Sequence, residues 1–180
     1  MQTQRLRFRP VDESDLPFLH DLLGWPEPLD DILIDTIDGR FVLAYPPAKI
    51  DDWPAKSRER DDRDGFSMWL GSHRRTGQPI GLYGPMRQTI EDESLIEIGW
   101  YTHRDHHRQG YAREAAEGWI TWMLKSQPVD RLHAAILPAN VPSIRTAQSV
   151  GMTLRRTGVT HAGMPHHLYA VDRADVERSD

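Results

Sequence analysis

The sequence predicts one α+β domain: a mixed, mostly antiparallel sheet of about seven strands, flanked by helices. Strand-like and helix-like stretches alternate along the chain. A strand–loop–helix unit from Glu97 to Ala116 dominates the centre, and a pair of strands closes the chain.

In chain order, Arg5 to Arg9 sets Leu6 and Phe8 against arginines, the alternation of a half-buried strand. Asp12 or Ser14 can cap a helix carrying Leu16, Leu19, Leu22 and Leu23, which Gly24 and Pro26 stop. Leu29 to Asp38 reads as a second short helix, and a further helix is expected from about Asp51, flanked by proline-rich loops. Trp25 and Trp53 are either a binding wall or partly buried single aromatics. Phe66 to Leu70 and Gln78 to Tyr83 are strands about a turn at Thr76-Gly77, with Arg74 and Arg75 as solvated turn charges. Thr89 to Ser94 reads as a polar turn, and the central strand starts near Leu95. After Pro128 a strand runs from Arg131 to Leu137, and Asn140 can cap a helix that tolerates Pro142 in its first turn. Ile144, Ala147 and Val150 line that helix's inner face, and Gly151 ends it. Met152 to Thr160 and His166 to Val171 close the sheet.

In the central unit, IEIGWYT is the strand and HRDHHRQ the loop. From Gly110 onward, Ala112, Ala115, Ala116, Trp119, Ile120 and Met123 form one apolar helical stripe, with Arg113, Glu114, Glu117 and Lys125 off it. Such a unit can trap an anion. The first N–H groups of a helix lack internal partners, and the peptide dipoles place partial positive charge there. Gly110 lets a phosphate approach the backbone, Ala112 keeps the first turn slim, and Arg108 and Arg113 can add charge. Neither G-x-G-x-x-G nor G-x-x-x-x-G-K-[ST] occurs, and the loop taken alone reads first as an ordinary turn.

Composition removes several function classes. With 180 residues the chain is expected to be a single domain, 1–180. It has no cysteine, so disulfides, a thiolate nucleophile and thiolate metal sites are excluded. The opening MQTQRLRFRP lacks the apolar core of a secretion signal, and no apolar run approaches membrane-spanning length. A net charge of −5, from 22 basic and 27 acidic residues, argues against nucleic acid as a partner and suits a cytoplasmic protein. Monomer and homodimer are both left open. H-E-x-x-H is absent, and the clusters His103, His106, His107 and His166, His167 read as solvated loop histidines rather than metal ligands. His103, His166 and Tyr169 are the ring-bearing residues that could reach an acceptor's entrance, although Tyr169 reads first as core.

HHRQGYAREA resembles the acetyl-CoA loop of the GNAT (Gcn5-related) N-acetyltransferases, [QR]-x-x-G-x-[GA], from His107 to Ala112. Asn140, Ser143 and Gly151-Met152 match that family's N-x-x-[SA]…G-[FM] helix, and QRLRFRPVDESDLPFLHDLL is similar to the opening of its RimJ/RimL-like branch, which acetylates protein N-termini. His107 departs from the usual Arg or Gln. Ala147 stands where many members carry a tyrosine acid, so that acid is excluded.

The resemblance implies acetyl-CoA as cofactor, its pyrophosphate on Arg108, Gln109, Gly110, Tyr111, Ala112 and Arg113, and its pantetheine arm against Trp100, Tyr101 and Thr102 where the central strand splays from its neighbour. Free N–H and C=O groups on a splayed strand suit the arm's amides. A bulge near Gly99 could aim an N–H at the thioester oxygen. The reaction implied is direct attack of an amine on the thioester, the amine belonging to a protein N-terminus or a small molecule. An α-amino group, with a free pKa of about 7.7–8.0, gives up its proton far more easily than a lysine at about 10.4. Glu97 shares a face with Gly99 and Tyr101 and is the candidate base, or else a structural carboxylate paired with an arginine across the sheet. Ser143 is the candidate acid for the departing thiolate, or a cofactor contact, and Asn140 combines helix cap with cofactor contact. A catalytically weak acyl-CoA-binding or sensing module is the alternative on the same fold, and a phosphate-binding domain unrelated to coenzyme A is a third. The stretch 25–65 and the last strands are expected to choose the acceptor.

Overall fold

The computed structural model describes residues 1–27, 29–37 and 40–178, with only the main chain of Arg40. In it, Leu6 and Phe8 point inward from β1 (Leu6–Arg9) while the arginines between them face out. Asp12 caps a 3-10 turn at 13–15 in a capping box with Asp15, and α1 (Leu16–Leu23) continues from it until Gly24.

The next stretch departs from the sequence expectation. Leu29 to Asp38 is not a helix: β2 (Leu33–Ile37) pairs antiparallel with β3 (Arg40–Ala44), Ile34 opposite Leu43 and Thr36 opposite Phe41. Leu33, Ile34, Thr36 and Ile37 favour strand, but both faces are half-polar, so the periodicity is weak. Asp38 lies outside the described residues. The helical expectation near Asp51 resolves into α2 (Pro47–Asp51) and α3 (Trp53–Asp64), which Gly65 ends at φ +78°.

The main sheet adds β4 (Trp69–His73), β5 (Pro79–Ile90), β6 (Glu93–Thr102), β7 (Arg131–Ile136), β8 (Thr153–His161) and β9 (Met164–Asp172), in the spatial order β1-β4-β5-β6-β7-β9-β8. Only β6 and β7 run parallel, so the sheet is mixed and mostly antiparallel. The polar turn after β5 is shorter than Thr89 to Ser94. It consists of Glu91 and Asp92, both at positive φ, and the strands zip up to Ile90 and Glu93. Arg74 is not merely solvated: its guanidinium donates to the carbonyls of Thr3 and Gln4 and holds the chain's first residues against the 74–77 turn.

Helices cover both faces. On one face, α4 (Tyr111–Ser126) lays Ala115, Trp119, Ile120 and Met123 on Ile96, Ile98 and Tyr83, joined by Ala147 of α5 (Val141–Ser149) and Val176 of the unforeseen α6 (Arg173–Glu177). Trp119 is fully buried, and truncating so large a side chain typically costs about 3–5 kcal/mol. On the other face, Leu19, Leu23 and Ile50 meet Met68, Leu70 and Leu82. Residues 96 and 98 of β6 therefore belong to one layer, and 97, 99 and 101 look toward the other.

The step that positions the site is the parallel pair. β6 and β7 meet at a single register position, Glu97 opposite His133. Beyond it, Ile98 to Thr102 stay bonded to β5 alone, so their outer edge is open toward β7.

Candidate active site

Glu97 stands at the point where the two strands part. Its Oε1 accepts a hydrogen bond from the Ala135 N–H at 3.3 Å, which ties the carboxyl to the opposite lip of the opening. Its side chain is 12% exposed, and His161 Nε2 lies 3.9 Å from Oε2. Burial raises its pKa to about 7, against a smaller downward pull from the Ala135 N–H. No arginine pairs with it among the described residues, which removes the ion-pair alternative across the sheet.

A cavity of about 350 Å³ opens over Glu97, and several elements wall it. The β2–β3 hairpin contributes Ile32, Ile34, Phe41 and Leu43; Trp53 comes from α3, His161 and His166 from the closing strands. Trp53 therefore follows its binding-wall reading, whereas Trp25 does not line this cavity. Tyr45 Oη and Tyr101 Oη share a hydrogen bond of 2.8 Å, and both rings stand edge-on to Trp53. Burial pushes the pKa of both tyrosines upward, so they are neutral at physiological pH. Gly99 keeps the floor open, since a Cβ there would sit 3.0 Å from Met68 Cε and 3.3 Å from Met86 Cε.

At the other lip, Asn140 caps α5 by accepting from the Ser143 N–H, and the Ser143 hydroxyl accepts from Trp100 Nε1 at 3.3 Å. Trp100, Asn140, Ser143 and Glu97 all line the same cavity. The expected bulge at Gly99 is absent. The β5–β6 register runs unbroken from Gly81–Thr102 to Ile90–Glu93, and the nearest irregularity lies between Gly71 and Ser72. The opening comes instead from β7 leaving β6, so the free main-chain groups of residues 98–101 face the gap itself, while the Thr102 carbonyl is bonded to His107 Nε2 at 2.9 Å.

The loop before α4 is held at both ends. His103 Nε2 bonds Asp21 Oδ2 at 2.8 Å and Arg104 bonds the same carboxylate, pinning the loop to α1. His103 is thus buried against Phe18, away from the cavity, and does not reach an acceptor. Arg108 and Gly110 both adopt positive φ, at +58° and +79°. Among the described residues, the N–H groups of 108–113 make no main-chain hydrogen bond. The loop therefore presents a run of free donors at the start of a 16-residue helix, and Arg108 and Arg113 beside them have no ion pair among the described residues. Coenzyme A fits these surroundings: converging N–H donors suit a pyrophosphate, and the open β6 edge suits an amide-bearing arm.

Several contributors were missed. Arg5 donates to the Gln109 carbonyl at 2.9 Å, stacks 4.4 Å over the Tyr111 ring and pairs with Glu114 at 2.5 Å. Glu114, expected on the solvent side, also accepts from Thr3 Oγ1 and the Arg5 N–H. Burial opposes its ionisation, but these bonds together hold its pKa below the usual value. Only the Arg-rich first strand hinted at this, because the partners lie more than a hundred residues apart. His161 is the other omission. His166, which does line the cavity, is buried rather than solvated, and its ring stands 5.2 Å from that of His161. Burial lowers both histidines' pKa values. Tyr169 is a core residue and not part of the cleft. No cluster of three or more His, Cys, Asp or Glu suited to a metal ion occurs among the described residues, and no helix there is long and apolar enough to cross a membrane.

Residues 5–153 match the family described as the acetyltransferase (GNAT) domain. The uncharacterized protein YkkB of Bacillus subtilis is 32% identical over 160 residues, 86% of each chain. Among solved structures, an acetyltransferase from Agrobacterium tumefaciens superposes with a TM-score of 0.75 at 22% identity, covering 95% of this chain and 92% of that one. The aminoglycoside acetyltransferase AAC(6')-Ib in complex with coenzyme A gives 0.69 at 15% identity, covering 97% and 98%. At these identities the two structural likenesses establish the fold.

Proposed function

Because the chain belongs to the GNAT acetyltransferase family, whose acetyl donor is acetyl-CoA, we propose that it is an N-acetyltransferase in which an amine attacks the thioester directly and Glu97 removes the amine's proton. The observation that carries this reading is a carboxyl at the fork of β6 and β7, sheltered enough that its pKa lies near 7. A base with that pKa is ionised in about half of the molecules at neutral pH and still basic enough to accept a proton from an ammonium group.

Acetyl-CoA supplies the activated acetyl group; the chain supplies position and proton traffic. The N–H groups of 108–113 would hold the pyrophosphate, and the open edge of Trp100, Tyr101 and Thr102 would hold the arm. Ser143 is placed to donate to a departing thiolate while its oxygen keeps the Trp100 bond. Fully buried Ala147 offers no acid, which leaves Ser143 in that part. The opening strand and helix resemble the RimJ/RimL-like branch, which supports a reading with an α-amino group or a small amine as acceptor.

Release of free thiol from acetyl-CoA with a mixed amine panel tests the proposal. Turnover that falls about 10²–10⁴-fold in Glu97→Gln supports it. Coenzyme A binding without turnover on any amine would instead establish the acyl-CoA-binding alternative.

A further inference from the structure

The cavity's charged residues are unevenly distributed. Among the described residues Glu97 is the only carboxylate lining it, whereas Lys49, Lys56 and Arg60 are all on its wall. Trp53, Lys56 and Arg60 follow at i, i+3 and i+7, so one face of α3 turns toward the cavity. Lys49 is 3.6 Å from Asp31 and Lys56 is 3.0 Å from Asp52, but half-buried Arg60 has no ion pair among the described residues. His161 and His166, with pKa values lowered by burial, add no charge at neutral pH. The chain as a whole carries −5, yet this wall is basic.

A purely cationic acceptor would meet like charge on that wall. An amine that also carries an anion would find a partner at each end: Glu97 for the amine, Arg60 and Lys56 for the anion. The same cavity is lined by Ile34, Phe41, Leu43 and the Tyr45–Trp53–Tyr101 cluster, which suit an apolar spacer. At about 350 Å³, near the low end of small-molecule sites, the cavity fits a small molecule rather than a long peptide.

We propose that the acceptor is a small amine bearing an anionic group, carboxylate or phosphate, held by Arg60 and Lys56 while its nitrogen meets Glu97. This rests on the acetyl-transfer reading and adds the charge class of the substrate. Polyamine-like substrates are then selected against.

The test is a matched panel of alkyl amines of equal length ending in carboxylate, phosphate, amide, or a second amine, together with short peptides. Each is assayed by thiol release with the intact protein and with Arg60→Glu. The expected kcat/KM for the carboxylate or phosphate member exceeds that of the diamine by about tenfold or more, since opposite and like charge act in the same sense. Comparison of those two members separates the anion types. Arg60→Glu should lose the anionic preference through KM and gain activity on the diamine, a gain that misfolding cannot produce. Equal or better turnover of the diamine by the unaltered protein, a preference for peptides over every small amine, or a ranking that Arg60→Glu leaves unchanged would overturn the proposal. Transfer without charge preference defeats this inference alone, and no transfer to any amine defeats it together with the proposed function.

Discussion

At the scale of single residues, three surroundings act together on Glu97, the proposed base. Strand alternation turns it away from the α4 layer, the fork of β6 and β7 leaves it one main-chain donor, and burial raises its pKa to about 7. A general base works when ionised, so kcat/KM for a neutral amine should rise with pH through about 7, and the rise should vanish in Glu97→Gln. A flat profile in the unaltered enzyme contradicts the assignment. Stability carries the opposite sign. A carboxyl whose folded pKa exceeds its unfolded value favours the fold while protonated, and that contribution is lost as pH rises through about 7. Glu97→Gln should therefore be more stable than the parent at pH 8, by on the order of 1–3 kcal/mol in urea denaturation, with the gap closing toward pH 4. The alternation that singles out Glu97 was readable in the chain. His161 was not, because β8 and β9 bring it beside Glu97 only once the sheet is assembled.

At the scale of elements, the 103–110 loop is shaped by contacts outside itself. Asp21 of α1 holds its start and Arg5 its end, so the free N–H groups before α4 are fixed in place without a ligand's help. Arg5→Met removes the guanidinium's bonds to Gln109 and Glu114, leaving the Arg5 N–H bond to Glu114, and should weaken coenzyme A binding about tenfold or more while costing about 1–3 kcal/mol of stability. Calorimetry reads the first and chemical denaturation the second; unchanged affinity would make Arg5 a purely structural residue. Gly110→Ala meets only Arg5 Nη2 at 3.5 Å, so its cost is the +79° backbone angle. That is about 1–2 kcal/mol, or a Tm lower by roughly 2–8 °C. The loop's glycine, the α4 stripe and the Asn140 cap were legible because each is a local signal. The hairpin of β2 and β3 was not: its residues are half-exposed on both sides, and without a strict period short apolar runs read as helix or strand alike.

For the whole molecule, the division of labour follows the topology. The seven-stranded sheet and α4 carry the groove proposed for the cofactor, whereas the β2–β3 hairpin is a separate sheet whose residues line the cavity. Replacing residues 33–43 with a short Gly/Ser linker should leave coenzyme A affinity within a few-fold and raise the acceptor's KM about tenfold or more. Equal loss of both would show that the hairpin supports the groove as well. The mixed, mostly antiparallel sheet of about seven strands was expected from the chain, and it is present here, whereas the strand order and the parallel junction emerge only from the assembled sheet. The stretch 25–65 and the last strands were expected to form the wall proposed for the acceptor, but which side chains meet there was illegible, because α2, α3, the hairpin and the closing strands contribute at once and no local pattern records that meeting.

A crystal structure of the protein with coenzyme A tests the central claim most directly. The diphosphate should lie within hydrogen-bond distance of the N–H groups of residues 108–113, with the thiol in the gap between β6 and β7 beside Glu97. A diphosphate bound elsewhere, or a thiol on the far side of the sheet from Glu97, would contradict it.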